Sequence, residues 1–219
     1  MMLNIRQIRN LSLKWKLLIP FFFLPAALTI ILVAWGIHSQ NQILTVQEED
    51  RLRHNFRQFE QRIKLRLNVS MSLAAMVASD PAAQKILAEK DREALKKRYL
   101  PIYEQLEAFI GIKQFHFHIR PGVSFLRLHR LDRFGDELAS YRRTITTAYK
   151  TGVLVGGLEY GVTGLGIRGV APIYHEGRIV GSVECGWGVG QPFLNQLKKD
   201  MDCDLTIYTA LSSDPSKFT

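Results

Sequence analysis

From Leu17 to Ile37 the chain reads LLIPFFFLPAALTIILVAWGI, without a charged side chain. At about 1.5 Å rise per residue, a helix of that length crosses a hydrocarbon layer of about 30 Å. Pro20 and Pro25 fall near its start, and Trp15 and Trp35 fall near its two ends, where amphipathic rings prefer the interface. Beyond it, Leu52, Phe56, Phe59, Ile63, Leu67 and Met71 recur at helical spacings, with Arg51, Arg53, Arg57, Glu60, Arg62, Lys64 and Arg66 on the other faces. No proline or glycine interrupts residues 37–79. The pattern therefore predicts a transmembrane helix over 17–37 that continues into a stalk helix over 38–79, reaching about 60 Å beyond the bilayer. The apolar stripe can pack on its own domain or on a second copy of itself.

Asp80-Pro81 ends this helix and begins another, with Asp as cap and Pro in the first turn. DREALKKRYLPIYEQLEAFIG predicts a further helix, kinked at Pro101 and closed by Gly111. Alternating patterns then predict strands over 113–119, 123–129, 153–162, 165–174, 178–187 and 204–209. Turns fall at Arg120-Pro121-Gly122 and His175-Glu176-Gly177, and helices over 137–150 and from about Pro192. The order predicts an α+β fold with a mainly antiparallel, five- to six-stranded sheet and helices at one face.

Parity along the strands sorts the side chains into two faces. Phe115, Phe117 and Ile119 oppose His116 and His118. Ser124, Leu126 and Leu128 oppose Phe125, Arg127 and His129. Arg168 opposes Ile167 and Gly169, while Ser182 and Glu184 oppose Ile179, Val183 and Cys185. Glu159 falls on the same parity as Val153 and Val155. One face is apolar; the other carries cations, histidines and a carboxylate. A solvated outer face accounts for that, and so does a ligand cavity. Glycines 156, 157, 161, 164, 166, 169 and 181 leave room for something to approach the backbone and favour the cavity. Arg127, His129 and Arg168 are its foremost candidate contacts, and guanidinium groups point to an anionic or zwitterionic small molecule. Asp136 reads as the cap of the next helix, and Arg168 with Glu184 as a candidate ion pair.

Charge alters this picture. The formal net charge of +9 raises nucleic acid as a partner. The cations are dispersed, however, and the span has Arg6, Arg9, Lys14 and Lys16 before it and Glu48, Glu49 and Asp50 after it. The excess of preceding cations places the N-terminus in the cytoplasm and everything after residue 38 outside. That removes nucleic acid and cytosolic cofactors. A cleaved signal peptide ending near Ala34-Trp35-Gly36 competes, against an apolar region long for that role. Cys185 and Cys203 either pair or remain buried thiols. His116, His118 and His129 with Asp132 or Asp136 offer a rival metal-binding or enzymatic reading. No H-E-x-x-H, G-x-S-x-G or haem-attachment pattern accompanies them, and no catalytic residue or cofactor is expected.

FHFHIRPGVSFLRLHRLDRFGDELASYR, followed by GLEYGVTGLGIRGVAPIYHEGRIVGSVECG, resembles the Cache sensory domains of bacterial transmembrane receptors. The likeness is to the double-Cache subgroup of methyl-accepting chemotaxis proteins, histidine kinases and diguanylate cyclases, and it covers about residues 70–208. It implies a PAS-like sheet behind a long N-terminal helix, a small-molecule ligand bound outside the cell, and homodimerisation through the stalk. By the resemblance, Arg127, His129, Asp136, Arg142, Glu159, Arg168 and Glu184 occupy motif positions, and His118 joins them as a candidate contact. The expected organisation, across a bacterial inner membrane with the sensory region periplasmic, is a basic cytoplasmic N-terminus over 1–16, membrane helix 17–37, stalk 38–79, Cache domain 80–209 and a linker over 210–219. Such receptors return through a second membrane helix to a cytoplasmic signalling domain. Neither follows here before SSDPSKFT, so the chain is expected to be a receptor fragment or a truncated product.

Overall fold

A computed structural model describes residues 12–119, 122–162 and 164–208. Helix α1 runs from Leu13 to Ala78. It is followed by α2 (Pro81–Ala88), α3 (Arg92–Ile110), β1 (Gln114–Ile119), β2 (Val123–Arg127), α4 (Arg143–Thr151), β3 (Val155–Gly161), β4 (Gly164–His175), β5 (Arg178–Gly188) and α5 (Gln191–Met201). The fold is α+β, with one antiparallel five-stranded sheet in the order β2-β1-β5-β4-β3. Contacts divide the chain into one unit up to Phe56 and a second from Arg57 onward. In the first unit, α1 is long and apolar enough to cross a membrane.

The second unit builds its core on the apolar parity. Phe115 and Phe117 of β1 meet Tyr99 of α3 at ring-centroid distances of 5.9 and 5.2 Å. Leu126, Val183, Cys185, Ala171 and Ile173 extend this layer across the sheet, under Ala74 and Val77 of α1 and Leu87 of α2. A second cluster seats Phe59, Ile63 and Leu67 of α1 against Ile167, Phe193 and Leu197. The distal half of the predicted stripe is thus an intramolecular core face, while Leu52 and Phe56 are exposed. Asp80 caps α2 through Ala82 N–H, and Gly111 closes α3 in the left-handed region at φ 71°. Helix α3 continues through Pro101 as one helix.

Two glycines set how closely α1 approaches the sheet. Gly156 and Gly169 are cross-strand partners. A Cβ on Gly169 would stand 2.7 Å from Met71 Cα, and one on Gly156 would stand 2.7 Å from Met71 Cγ. The pair forms a notch in which Gly169 receives the backbone of Ser70 and Met71 and Gly156 the side chain of Met71.

Four expectations need correction. The predicted sixth strand is absent over the described residues 204–208, which carry no ladder; Thr209 lies outside the described residues, as do residues 1–11 and 210–219, Arg120 and Pro121. The helix expected from Glu137 begins at Arg143, because residues 135–138 bond instead to the outer edge of β2. Asp136 is therefore no helix cap. The polar face is not bare of helices either, since α4 covers part of it through Ile145, Ala148, Val155 and Val170. Finally, strict parity fails in β2. The register shifts between Phe117 and His118, so that Leu126 pairs with Phe117 and Ser124 with His118. A β-bulge of this kind re-aims one side chain, and here it turns Ser124 onto the polar face.

Replacing Gly169 with Val should cost about 3 kcal/mol, the upper part of the overpacking range, because the helix backbone cannot retreat as a flexible side chain would. Gly157→Ala, one position along the partner strand and with open space at its Cβ, should change stability by no more than about 1 kcal/mol. Chemical denaturation of the two variants checks both values.

Candidate functional site

The polar face of the sheet holds a buried ion cluster centred on Glu184 of β5. Its side chain is 1% exposed. Arg142, just before α4, donates to Glu184 Oε2 at 2.6 Å, and Arg168 of β4 donates to Oε1 at 2.5 Å. Arg142 also donates to Glu159 Oε2 at 2.6 Å, and Glu159 in turn accepts from the backbone N–H and hydroxyl of Thr144. Arg168 makes a further short hydrogen bond to Gln114. Two guanidinium groups thus balance two carboxylates, and most of the oxygens have charged donors. The guanidinium of Arg168 lies over Gly161 and Gly166, where a Cβ would stand 2.6 and 3.1 Å from its Nη2. The room left by these glycines is filled by the chain's own arginine.

Beside the cluster, His116 Nε2 is 2.8 Å from Ser124 Oγ, and His118 Nδ1 is 3.0 Å from Ser182 Oγ. The two rings touch edge-on, with centroids 4.1 Å apart. Burial and the neighbouring cations push both imidazoles towards the neutral form, His118 down to about 3 and His116 well below its ordinary value. Burial pushes Glu184 up, but Arg142 and Arg168 outweigh it and hold the carboxyl down at about 2.

The segment between β2 and α4 makes the outer wall. Arg127 grips Asp136 with two hydrogen bonds of 2.6 and 2.7 Å and donates to Arg133 O at 3.0 Å. Arg92 at the start of α3 ties β2 to this segment through Phe125 O and Leu131 O, with its guanidinium 4.1 Å from the Phe134 ring centroid. Between this wall and the sheet lies a cavity of about 480 Å³. Of the residues expected there, Arg127, His129, Asp136, Arg142, Arg168 and Glu184 line it. His118 and Glu159 do not; they stand in the network behind the lining. His129 is exposed, and its Nδ1 accepts from Phe115 N–H at 3.4 Å. It does not join the other two histidines around a common point, so the expected three-histidine cluster is replaced by His116, His118 and Glu184, whose ligand atoms lie within 4.8 Å of one another. Cys185 and Cys203 are free thiols, and burial pushes the Cys185 thiol up.

Sequence reasoning missed Tyr103, Glu107, Lys113, Gln114, Arg130, Arg133 and Tyr141 in the lining. Arg130 and Arg133 stood in the same charged stretch as Arg127 and could have been found there. Tyr103 and Glu107 lie one helical turn apart on α3, where the pattern reads only as a helix face.

The buried charges make the fold acid-sensitive in a defined window. A buried histidine with a depressed pKa stabilises the fold above its unfolded value of about 6.5 and loses that contribution as the pH falls below it. The depressed carboxyl of Glu184 adds a loss below about 4.5, worth about 3 kcal/mol by pH 2. Denaturation free energies measured from pH 8 to pH 4 should be level above about pH 7 and fall steadily below about 6.5. A level profile down to pH 4.5 would contradict the assignment.

Residues 45–218 match the family described as the double sensory domain of two-component sensor kinase. Among solved structures, the sensor domain of the V. cholerae histidine kinase DctB is similar over 75% of this chain and 61% of its own length, at 16% identity and a TM-score of 0.56. The E. coli DcuS sensor domain is similar over 64% of this chain and 98% of its own, at 16% identity and a TM-score of 0.50. The chain therefore spans less than two thirds of the V. cholerae domain. No curated protein matches it.

Proposed function

The chain belongs to the family of double sensory domains of two-component sensor kinases, and on that premise we propose that it is the ligand-sensing part of a bacterial membrane receptor of the chemotaxis or a related signalling type. The first part of α1 crosses the inner membrane with its N-terminus in the cytoplasm, and the unit from Arg57 onward lies in the periplasm. The cation-rich approach to the span and the acidic residues after it support this direction. A second copy pairs along the exposed apolar positions of α1, Leu44, Leu52 and Phe56 among them.

The ligand is a small anionic or zwitterionic molecule held in the cavity beside β2. One observation carries this reading: the lining has more cations than the cluster neutralises. Arg127 is balanced by Asp136, Lys113 by Glu107, and Arg142 and Arg168 by Glu159 and Glu184. Arg130 and Arg133 also line the cavity and form no ion pair among the described residues. A carboxylate entering there meets unbalanced positive charge, with Arg127 able to exchange Asp136 for it. Tyr103, Gln114, His116, His129 and Tyr141 add further polar groups to the lining.

Thermal and chemical denaturation of the full chain, in chelator and with a panel of amino acids, mono- and dicarboxylates and their neutral amides, tests this. A true ligand should add about 2.7 kcal/mol at a hundred times its Kd. Arg133→Ala and Arg127→Ala should remove the response, and the amides should give none. Equal stabilisation by neutral analogues, or an undiminished response in a folded Arg127→Ala chain, would overturn the anion reading.

A further inference from the structure

His118 Nε2 is buried, its side chain 1% exposed, and it has no hydrogen-bond partner. Glu184 Oε2 lies 3.7 Å away, beyond hydrogen-bonding reach. Buried polar atoms are almost always satisfied, so an orphaned imidazole nitrogen aimed at a carboxylate calls for a missing partner. We propose that His116, His118 and Glu184 form a binding site for a divalent transition-metal ion of the zinc class, set in the inner wall of the cavity beside β2.

Spacing supports this. Two ligands of a tetrahedral ion, each at about 2.0–2.1 Å, stand roughly 3.4 Å apart. The 3.7 Å between His118 Nε2 and Glu184 Oε2 is close to that value, and all three ligand atoms fall within 4.8 Å, so modest side-chain rotation closes the set. Strand geometry places them there: His116 and His118 are alternate residues of β1, and Glu184 is the cross-strand partner of His116.

The surroundings are those of metal-binding histidines. Each ring has one nitrogen tied to a serine hydroxyl, His116 to Ser124 and His118 to Ser182, which fixes its orientation and leaves the other nitrogen for an ion. Burial keeps both rings neutral, the form that offers a lone pair. An ionised carboxylate has about four lone-pair positions, so Glu184 Oε2 can accept from Arg142 and still bind a metal. The two guanidinium groups oppose the added charge. The remaining coordination position answers this: His116 and Glu184 both line the cavity, so a hydroxide or an anion entering from it can complete the shell.

The test uses the full chain in detergent, stripped with chelator and titrated with Co²⁺ and then Zn²⁺ in the absence of any organic ligand. One equivalent of Co²⁺ should develop visible ligand-field absorption that Zn²⁺ displaces. His118→Gln, which retains a partner for Ser182, should abolish it. Ser182→Ala, which removes only a hydroxyl, should weaken binding about 10–100-fold. Absence of stoichiometric binding in the unsubstituted chain, or equal binding in both variants, overturns the proposal. If His118→Gln does not fold, Ser182→Ala decides alone. Because no organic anion is present here and no metal in the ligand panel, failure of either reading leaves the other standing.

Discussion

A carboxylate fixed in the middle of a sheet stays ionised only if the fold brings cations to it, and the polar half of this domain is arranged around meeting that demand for Glu184. Burial alone would leave the group neutral. Arg168 reaches it from the neighbouring strand and Arg142 from the start of α4. Arg142 is held in turn by Glu159 on the far strand, so one buried group ties β3, β4, β5 and the start of α4 together. The segment from Leu128 to Tyr141 has to follow, because its far end is anchored by Arg142 and its middle by Arg127 with Asp136. The cavity is the space that remains between this anchored segment and the sheet.

The same strand carries the connection to the other face. Arg168 points into the ion cluster, and Gly169, the next residue, receives the backbone of α1. One peptide unit therefore separates a wall of the cavity from the seat of the long helix. At the ends of β4 and β5, Ile167 and Trp187 pair across the ladder, and Arg66 of α1 lies 4.5 Å from the Phe193 ring centroid and 5.8 Å from that of Trp187. A short, packed route thus joins the charges on one face to the helix on the other.

Much of this was legible in the chain. The period-two pattern of FHFHI separated the two faces of β1 correctly, and the Asp80-Pro81 and Gly111 signals placed helix ends where they occur. Arg127, Arg168 and Glu184 could be assigned to one face because they lie on well-paired strands. Legibility stopped where long-range pairing overrode local pattern. Asp136 looks like a helix cap, yet its carboxylate is taken by Arg127 and its backbone by the edge of β2, which delays the helix to Arg143. Ser124 follows the apolar parity until a bulge turns it round, and no residue in the stretch announces the bulge. The glycines signalled close approach, but not that the approaching groups are Met71 and Arg168 of the same chain.

Glu184 and Arg168 stabilise the fold as a coupled pair rather than as two separately tolerated buried charges. A double-mutant cycle measures that coupling directly, using Glu184→Gln, Arg168→Met and the combined variant, each unfolded by denaturant at neutral pH. A coupling energy of about 2–3 kcal/mol is expected, with the double variant less damaged than the sum of the single changes. Additive losses, with coupling below about 0.5 kcal/mol, would contradict it.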